Sequence, residues 1–171
     1  MNKLAFIMLL TIMLILNATI SMKAITTDDD NDLNKGTVQT ESQQKAAEVV
    51  KYAWQFLGTP YQMNGMSSIK GFDSSGFVAF IMNHFGYELP RTSPLQSKLG
   101  KKVRLKKVTK GDLLFFRNKT KNVIHVGIVV SKKGDPLRMI HSTSSKGVII
   151  TDVSESPYWL KRIRKARRLI K

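Results

Sequence analysis

The chain of 171 residues is long enough for one folded domain, and it carries a formal net charge of +16 from 28 Lys and Arg against 12 Asp and Glu. Charged residues make up 23% and hydrophobic residues 42% of the sequence, which is typical of a globular protein and not of a disordered or fibrous one. The sequence contains no cysteine, which excludes disulfide bonds, thiolate metal ligands and a thiol nucleophile.

The first residues have the pattern of an export signal. A short cationic start at residues 1–3 precedes a nearly unbroken apolar run over residues 4–16. The run has the length of a signal-peptide core and is short for a membrane span, although an uncleaved anchor that reaches Ile20 is the alternative. We therefore expect residues 1–24 to be a signal peptide that exports the rest of the chain to the periplasm, the cell envelope or the medium.

A flexible acidic leader is predicted over residues 25–40, because this segment is rich in aspartate and has little to bury. One folded domain is predicted over residues 41–171. Its first helix is expected over residues 41–57, where apolar residues recur at helical spacing and Thr40 with Gln43 fits a capping box.

The elements that follow change character along the chain. A second helix is predicted over residues 75–85, and a short helix follows the turn at residues 90–94. Short segments rich in branched and aromatic residues then predict strands. They cover residues 112–116, 123–130, 137–141, 147–151 and 166–170. Helices first and antiparallel strands second predict an α+β fold, with N-terminal helices packed on a central antiparallel β-sheet.

The loop that enters the second predicted helix carries Asp73 and Ser74. Backbone amides in the first turn of a helix lack internal partners and favour negative charge, so a nucleophile at this junction would have its anion stabilised. Ser74 is therefore the candidate nucleophile. The alternative is that Asp73 or Ser74 only caps the helix.

A nucleophilic serine needs a base, and the chain has three histidines. His84 falls inside the second predicted helix, where a structural role is the simpler interpretation. His125 lies in an apolar strand, and alternation puts it on one face with Val123 and Gly127. If the strands of His125 and His141 form a hairpin, His141 can orient the His125 ring, as the third member of a catalytic triad does. A hydrogen-bonded core histidine is the alternative for His125.

Basic residues form two clusters, over residues 98–110 and 161–171. They predict contact with anionic envelope polymers or lipid headgroups, with a merely solvated surface as the alternative. No aromatic residues interleave the clusters in a stacking pattern, so we expect no nucleic acid partner. We expect a monomer.

Several motifs occur in order along the chain. They are GTPY at 58–61, GFDSSGFV at 71–78, LPRTS at 89–93 with Gln96, GDLLFF at 111–116, HVGI at 125–128 and IH at 140–141. Together they resemble the NlpC-type cell-wall peptidases, over nearly the whole chain from Thr40 onward. The resemblance implies a compact papain-like α+β domain and a peptidoglycan stem peptide as substrate, commonly cut between D-glutamate and a diamino acid.

The resemblance also implies roles for single residues. Ser74 stands where the family has its catalytic cysteine, His125 matches the general base, and His141 matches the orienting polar residue. The residues that it implies for substrate binding are Tyr61, Asp73, Ser75 and Arg91. Asn64 replaces a common glycine, which is tolerable because asparagine visits left-handed backbone conformations. We expect neither a cofactor nor a metal ion.

The departure from the family at Ser74 leaves the chemistry open. A cysteine there would ionise, whereas a serine hydroxyl stays protonated at rest and must lose its proton during attack. A site shaped for sulfur also holds the smaller oxygen too far back, and misplacement by about 1 Å costs on the order of 100-fold in rate. Three interpretations remain: slow hydrolysis through Ser74, a groove that binds stem peptides without cutting them, and an engineered replacement of a natural cysteine.

Overall fold

The computed structural model describes the backbone of residues 30–171 and the side chains of residues 41–171. The predicted signal peptide and residues 25–29 of the predicted leader lie outside the described residues. Val38–Lys171 forms one compact unit. Over the described range, no helix combines the length and the apolar character that crossing a membrane requires.

The helices precede most of the strands. The longer ones are α1 (Asp30–Trp54) and α2 (Ser74–His84), and the short ones are α3 (Ser93–Gln96) and α4 (Pro157–Leu160). A single 3₁₀ turn covers Leu105–Lys107. Of these, α2 packs against the central strands of the main sheet and thereby fixes the position of its own N-terminus.

The strands form a small ribbon and a main sheet. The ribbon pairs β1 (Met66–Ser67) with β2 (Gly71–Phe72). The main sheet contains β3 (Lys101–Val103), β4 (Leu113–Arg117), β5 (Val123–Val129), β6 (Arg138–Thr143), β7 (Gly147–Asp152) and β8 (Ile163–Arg168). Its six strands run in the order β3-β8-β4-β5-β6-β7 and every pair is antiparallel.

The first helix is longer than predicted at its start. It begins at Asp30, so residues 30–40 of the predicted leader are helical, and the capping box at Thr40 is wrong because that residue lies inside the helix. The segment contains no proline, and each residue added to a nucleated helix adds one backbone hydrogen bond. The flexibility of the leader stays a prediction.

The remaining predicted elements match to within a few residues, with two kinds of exception. The strand predicted over residues 166–170 is observed at Ile163–Arg168, because the prediction followed apolar content and this strand is mostly basic. The elements β1, β2, β3 and α4 were not predicted, since segments of two to four residues are too short to show a period.

Two apolar clusters cover the two sides of the main sheet. The larger cluster joins Val49 and Ala53 of α1 and Phe77 of α2 to strand residues such as Phe115 and Val126. The smaller cluster collects Leu114, Phe116, Val129, Met139 and Ala166, with the half-buried Trp159 packed against it. The N-terminal helices α1 and α2 pack on one side of an antiparallel sheet, which confirms the predicted α+β arrangement.

A β-bulge changes the face that Val123 occupies. The pairing of β4 with β5 shifts between Phe116 and Arg117, so that Phe116 faces His125 but Arg117 faces Val123. Val123 consequently packs with the larger cluster, away from the face predicted from simple alternation. His125 keeps the predicted face, because it lies on the regular side of the bulge.

Candidate functional site

The start of α2 is capped by Asp73. Its backbone is extended (φ −87°, ψ 174°), and its Oδ1 accepts a hydrogen bond of 2.7 Å from the amide of Gly76. Ser74 is the first residue of the helix and is 7% exposed. The capping alternative is therefore correct for Asp73, and the Ser74 hydroxyl is not the group that caps the helix.

The guanidinium group of Arg91 binds both carboxylate oxygens of Asp73. It donates to Asp73 Oδ2 at 2.6 Å and Oδ1 at 3.0 Å, to Ser75 Oγ at 3.1 Å and to the carbonyl oxygen of Gly65 at 3.2 Å. Burial raises the pKa of the Asp73 carboxyl, but the hydrogen bonds from Arg91 and Gly76 outweigh it and hold that pKa below its usual value. The carboxylate therefore stays ionised beside Ser74.

The loop that precedes β1 lies directly against this cap. The Gly65 carbonyl also accepts from the Asp73 amide at 3.1 Å, and a Cβ placed at Gly76 would overlap it. Asn64 precedes this contact with a φ of 57°, the left-handed conformation that the sequence allowed for. Glycine at position 76 is thus required for the close approach of loop and helix.

Gln96 braces the same region from α3. Its side chain is fully buried, and its Nε2 donates at 2.9 Å to the backbone carbonyls of both Ser75 and Pro90. The segment that carries Arg91 is thereby tied to the first turn of α2. This contact gives the glutamine of the predicted motif a structural role.

Three of the four predicted substrate-binding residues come together, but as partners of one another. Asp73, Ser75 and Arg91 form the network described above, with Ser75 Oγ donating to Asp73 Oδ1 at 3.0 Å. Tyr61 bridges to Phe72 through its backbone, while its hydroxyl contacts Met63 Sδ at 3.7 Å. Their contacts with a substrate stay a prediction.

The two strand histidines meet directly. His125 Nε2 lies 2.7 Å from His141 Nδ1, and His141 Nε2 lies 2.8 Å from Thr151 Oγ1. The hairpin expected from the sequence is present, since β5 pairs with β6. We call His125, His141 and Thr151 the relay, because one unbroken hydrogen-bonded path joins them.

The register explains how the two rings reach each other. Ile128 faces Ile140, which places His141 opposite Gly127 and diagonal to His125 when the same register is continued. A Cβ at Gly127 would lie 3.2 Å from His141 Cβ and 2.8 Å from Met139 Sδ. The absent side chain at Gly127 therefore leaves the space across which His141 leans towards His125.

Trp159 of α4 covers the two imidazoles. Its ring centre lies 4.9 Å from that of His125 and 5.0 Å from that of His141, and it also contacts Phe116 at 4.9 Å. The sequence pattern did not indicate a role for Trp159. The pair Ser156 and Pro157 is a helix-start signal that could have located α4, but not its contact with the histidines.

Burial makes both imidazoles poor proton acceptors at equilibrium. It lowers the pKa of His125 to about 4, against a smaller opposing effect from the negative charge of Asp73. Burial and the neighbouring charge of His125 lower the pKa of His141 to about 3. Both rings are consequently neutral near pH 7. Since Nε2 of His125 is engaged by His141, its Nδ1 is the nitrogen left to accept a proton.

The third histidine belongs to a different environment. His84 is exposed at the end of α2 and stacks on Tyr52 at 3.9 Å between ring centres, with the planes 11° apart. This contact agrees with the structural role expected for it. The described residues contain no group of three or more His, Asp or Glu side chains arranged to hold a metal ion.

A capped helix start packed on an antiparallel sheet that carries paired histidines defines a papain-like α+β domain. The match to the NlpC/P60 family covers residues 58–168, which is more than half of the chain. The chain belongs to the NlpC/P60 family.

Individual relatives agree with this assignment. The chain is 40% identical over 114 residues to a murein DD-endopeptidase/murein LD-carboxypeptidase, MepS, of Escherichia coli K12, covering 66% of this chain and 57% of that protein. It is 39% identical over 122 residues to a gamma-D-glutamyl-L-lysine dipeptidyl-peptidase of Bacillus subtilis 168, covering 68% and 40%. The chain thus spans about half the length of these curated relatives.

A solved structure supports the fold independently. The crystal structure of an NlpC/P60 family protein from Bacillus cereus ATCC 10987 superposes with a TM-score of 0.68 at 34% sequence identity. The superposition covers 74% of this chain and 40% of that one.

Proposed function

We propose that the protein is an exported cell-wall peptidase that hydrolyses peptidoglycan stem peptides, with Ser74 in the position of the nucleophile. The observation that carries the proposal is the contact between His125 and His141 on the sheet against which α2 packs. The name of one relative, a gamma-D-glutamyl-L-lysine dipeptidyl-peptidase, supports a D-glutamyl–diamino acid bond as the target, and the name of the murein endopeptidase supports peptidoglycan as the substrate.

The relay suits the chemistry of acyl transfer. His125 Nδ1 takes the proton from Ser74 Oγ as that oxygen attacks the scissile carbonyl carbon, and His141 orients the ring. Backbone amides at the start of α2 stabilise the oxyanion of the tetrahedral intermediate. When this intermediate collapses, the leaving amine receives the proton from His125. Water then hydrolyses the acyl-serine with the same histidine as base.

The alternative is a domain that binds stem peptides without cutting them. It is favoured by the hydroxyl at Ser74, because an oxygen in a site shaped for sulfur starts farther from the carbonyl carbon. The pKa of His125, lowered by burial to about 4, also makes the imidazole a weak base for a hydroxyl that is protonated at rest.

Digestion of purified stem peptides distinguishes the two functions. We compare the unsubstituted protein with Ser74→Ala and Ser74→Cys, and measure both peptide cleavage and peptide binding, the latter by calorimetry. If the unsubstituted protein cleaves the peptides and Ser74→Ala does not, the result supports hydrolysis through Ser74. Binding without cleavage, together with strong activity of Ser74→Cys alone, supports the binding function and overturns hydrolysis. Neither binding nor cleavage by any variant overturns both.

Export is part of the proposal and rests on the sequence pattern of residues 1–24. Fractionation of cells that express the tagged chain tests it, and recovery of full-length protein in the cytoplasm would contradict it.

We also propose that the two basic clusters contact anionic envelope polymers or lipid headgroups. The pairing of β3 with β8 supports this function, since Lys102 faces Arg167 and Lys101 faces Arg168 across the ladder. Basic residues from two segments that are far apart in the sequence thus lie side by side in the sheet.

A further inference from the structure

The hydroxyl of Thr151 ends a hydrogen-bonded path that crosses three strands. His125 on β5, His141 on β6 and Thr151 on β7 are each diagonal to the next, with contacts of 2.7 and 2.8 Å. Trp159 packs against both imidazoles and Phe116 against His125, and His141 is fully buried, so water has little access to the nitrogens of His141. Thr151 therefore supplies a partner to His141 Nε2 that solvent does not readily replace.

Two arrangements of protons fit these distances when both rings are neutral. In the first, His125 Nε2–H donates to His141 Nδ1, and His141 Nε2–H donates to the Thr151 hydroxyl. In the second, every donor and acceptor is reversed, and His125 carries its proton on Nδ1. Only the first arrangement leaves a lone pair on Nδ1 of His125, the nitrogen that can accept a proton.

The first arrangement depends on an acceptor at the end of the path. Neutral imidazole in water prefers the proton on Nε2, which favours this arrangement for both rings. Without an oxygen at position 151, however, the His141 Nε2–H would be buried with no acceptor, which is costly. The reversed arrangement then leaves only an unused lone pair on Nε2 of His141, which is the smaller penalty.

We propose that Thr151 is a positioning residue that sets the tautomer of His125 through His141. It does not touch the reacting atoms. Its hydroxyl accepts the Nε2 proton of His141 and thereby keeps Nδ1 of His125 unprotonated. The inference deepens the proposed function, because only a base at this nitrogen makes the tautomer matter for catalysis.

The substitution Thr151→Val tests the relay with little change in shape. Valine is similar in size to threonine, lacks the hydroxyl and favours strands, so β7 is expected to fold normally. Thr151→Ser is the matched control, because it keeps the hydroxyl and removes a methyl group. A urea titration of each variant verifies that the fold is intact.

The protonation of the ring nitrogens is read from the ¹⁵N NMR spectrum of protein labelled at histidine, recorded at pH 7.5. Ser74 is left unsubstituted in this experiment. Only three histidines contribute, and the exposed His84 serves as an internal reference. We expect an unprotonated Nδ1 at His125 in the protein and in Thr151→Ser, and a protonated Nδ1 in Thr151→Val. A protonated Nδ1 in the unsubstituted protein, or an unchanged spectrum in Thr151→Val, would overturn the inference.

A second arm connects the tautomer to catalysis and is measured separately. If Ser74→Cys cuts stem peptides, adding Thr151→Val is expected to lower kcat by at least tenfold with KM little changed, and Thr151→Ser is expected to restore most of it. A tautomer change in a protein without peptidase activity would contradict the proposed function but not the relay. Activity without a tautomer change would contradict the relay alone.

Discussion

The buried imidazoles of His125 and His141 connect the stability of the fold to pH. Their pKa values in the folded state are about 4 and about 3, against about 6.5 in an unfolded chain. Between these limits the unfolded state binds more protons than the folded state, so acidification favours unfolding. We expect the free energy of unfolding to fall as the pH decreases from about 6.5 towards 4, by at most about 1.4 kcal/mol per pH unit and histidine.

Urea titrations at pH 7.5, 6.0, 5.0 and 4.5 measure this dependence. The variant His141→Gln removes one of the two groups and should reduce the slope. Asp73 affects the free energy of unfolding in a lower pH range. Because its pKa is depressed in the folded state, the stability that its carboxylate contributes is lost only as the pH falls below about 3.8. A free energy of unfolding that is constant from pH 6.5 to 4.5 would show that the histidines are not buried as described.

The sequence predicted the members of this site better than their arrangement. Ser74 at a helix start and His125 beside His141 followed from local pattern and hairpin spacing. Thr151 and Trp159 could not be predicted, because their contacts depend on the register of β6 with β7 and on where α4 lies. Likewise, the bulge that places Val123 on the opposite face of the sheet depends on the pairing of β4 with β5 and leaves no signal in the sequence.

At the scale of elements, an ion pair fastens β8 to the loop before β4. Arg168 donates to Asp112 Oδ1 at 2.7 Å and Oδ2 at 2.8 Å, and the Asp112 side chain is 1% exposed. Asp112 also accepts from the Thr109 amide at 2.9 Å, while Arg168 reaches the Lys107 carbonyl at 3.2 Å. The aspartate of the predicted GDLLFF motif is thus a structural anchor.

Removing the arginine leaves this carboxylate buried without its cation. Arg168→Gln should lower the free energy of unfolding by about 3 kcal/mol, near the low end for a buried pair because the arginine is partly exposed. Arg164→Gln, on an exposed position of the same strand, should change it by less than about 0.5 kcal/mol. Urea titrations measure both. Adding Asp112→Asn to Arg168→Gln should recover part of the loss, and equal losses in the two single arginine variants would contradict the anchor.

The composition of β8 explains why its bounds were predicted wrongly. β8 is recognisable only beside its neighbours, because Ala166 packs against Leu114 and Val103 while the charged residues around it reach the surface. Apolar content therefore placed the predicted strand at residues 166–170, three residues too late at its start. By contrast, α2 was predicted to within one residue at each end, since eleven residues give a helical period and Asp73 gives a cap.

At the scale of the whole molecule, the fold brings together positive charges from the two basic clusters, residues 98–110 and 161–171. The side chains of Lys98, Lys102, Arg164 and Arg167 all lie close enough to Lys165 to act on its charge. Burial and these four neighbouring cations lower the pKa of the Lys165 ammonium. Within the described residues the ion pairs are those of Arg91 and Arg168, so this basic surface has no carboxylate partner of its own. Like charges held together favour an anionic ligand, whose binding would relieve their repulsion.

Binding to anionic vesicles and to a soluble phosphodiester polymer tests this basic surface. Each basic residue near an anionic bilayer contributes about 1 kcal/mol, so replacing Lys98, Lys102 and Lys165 by Gln should weaken binding on the order of 100-fold. The matched control replaces the exposed Lys45, Lys51 and Lys70, which changes the net charge equally and should cost far less. Raising the salt from 50 to 200 mM should release the unsubstituted protein, because the attraction is screened. Binding to vesicles alone identifies headgroups as the ligand, and binding to the polymer alone identifies a polymer. Equal losses in the two triple variants, or binding that salt does not weaken, would contradict a localised basic site.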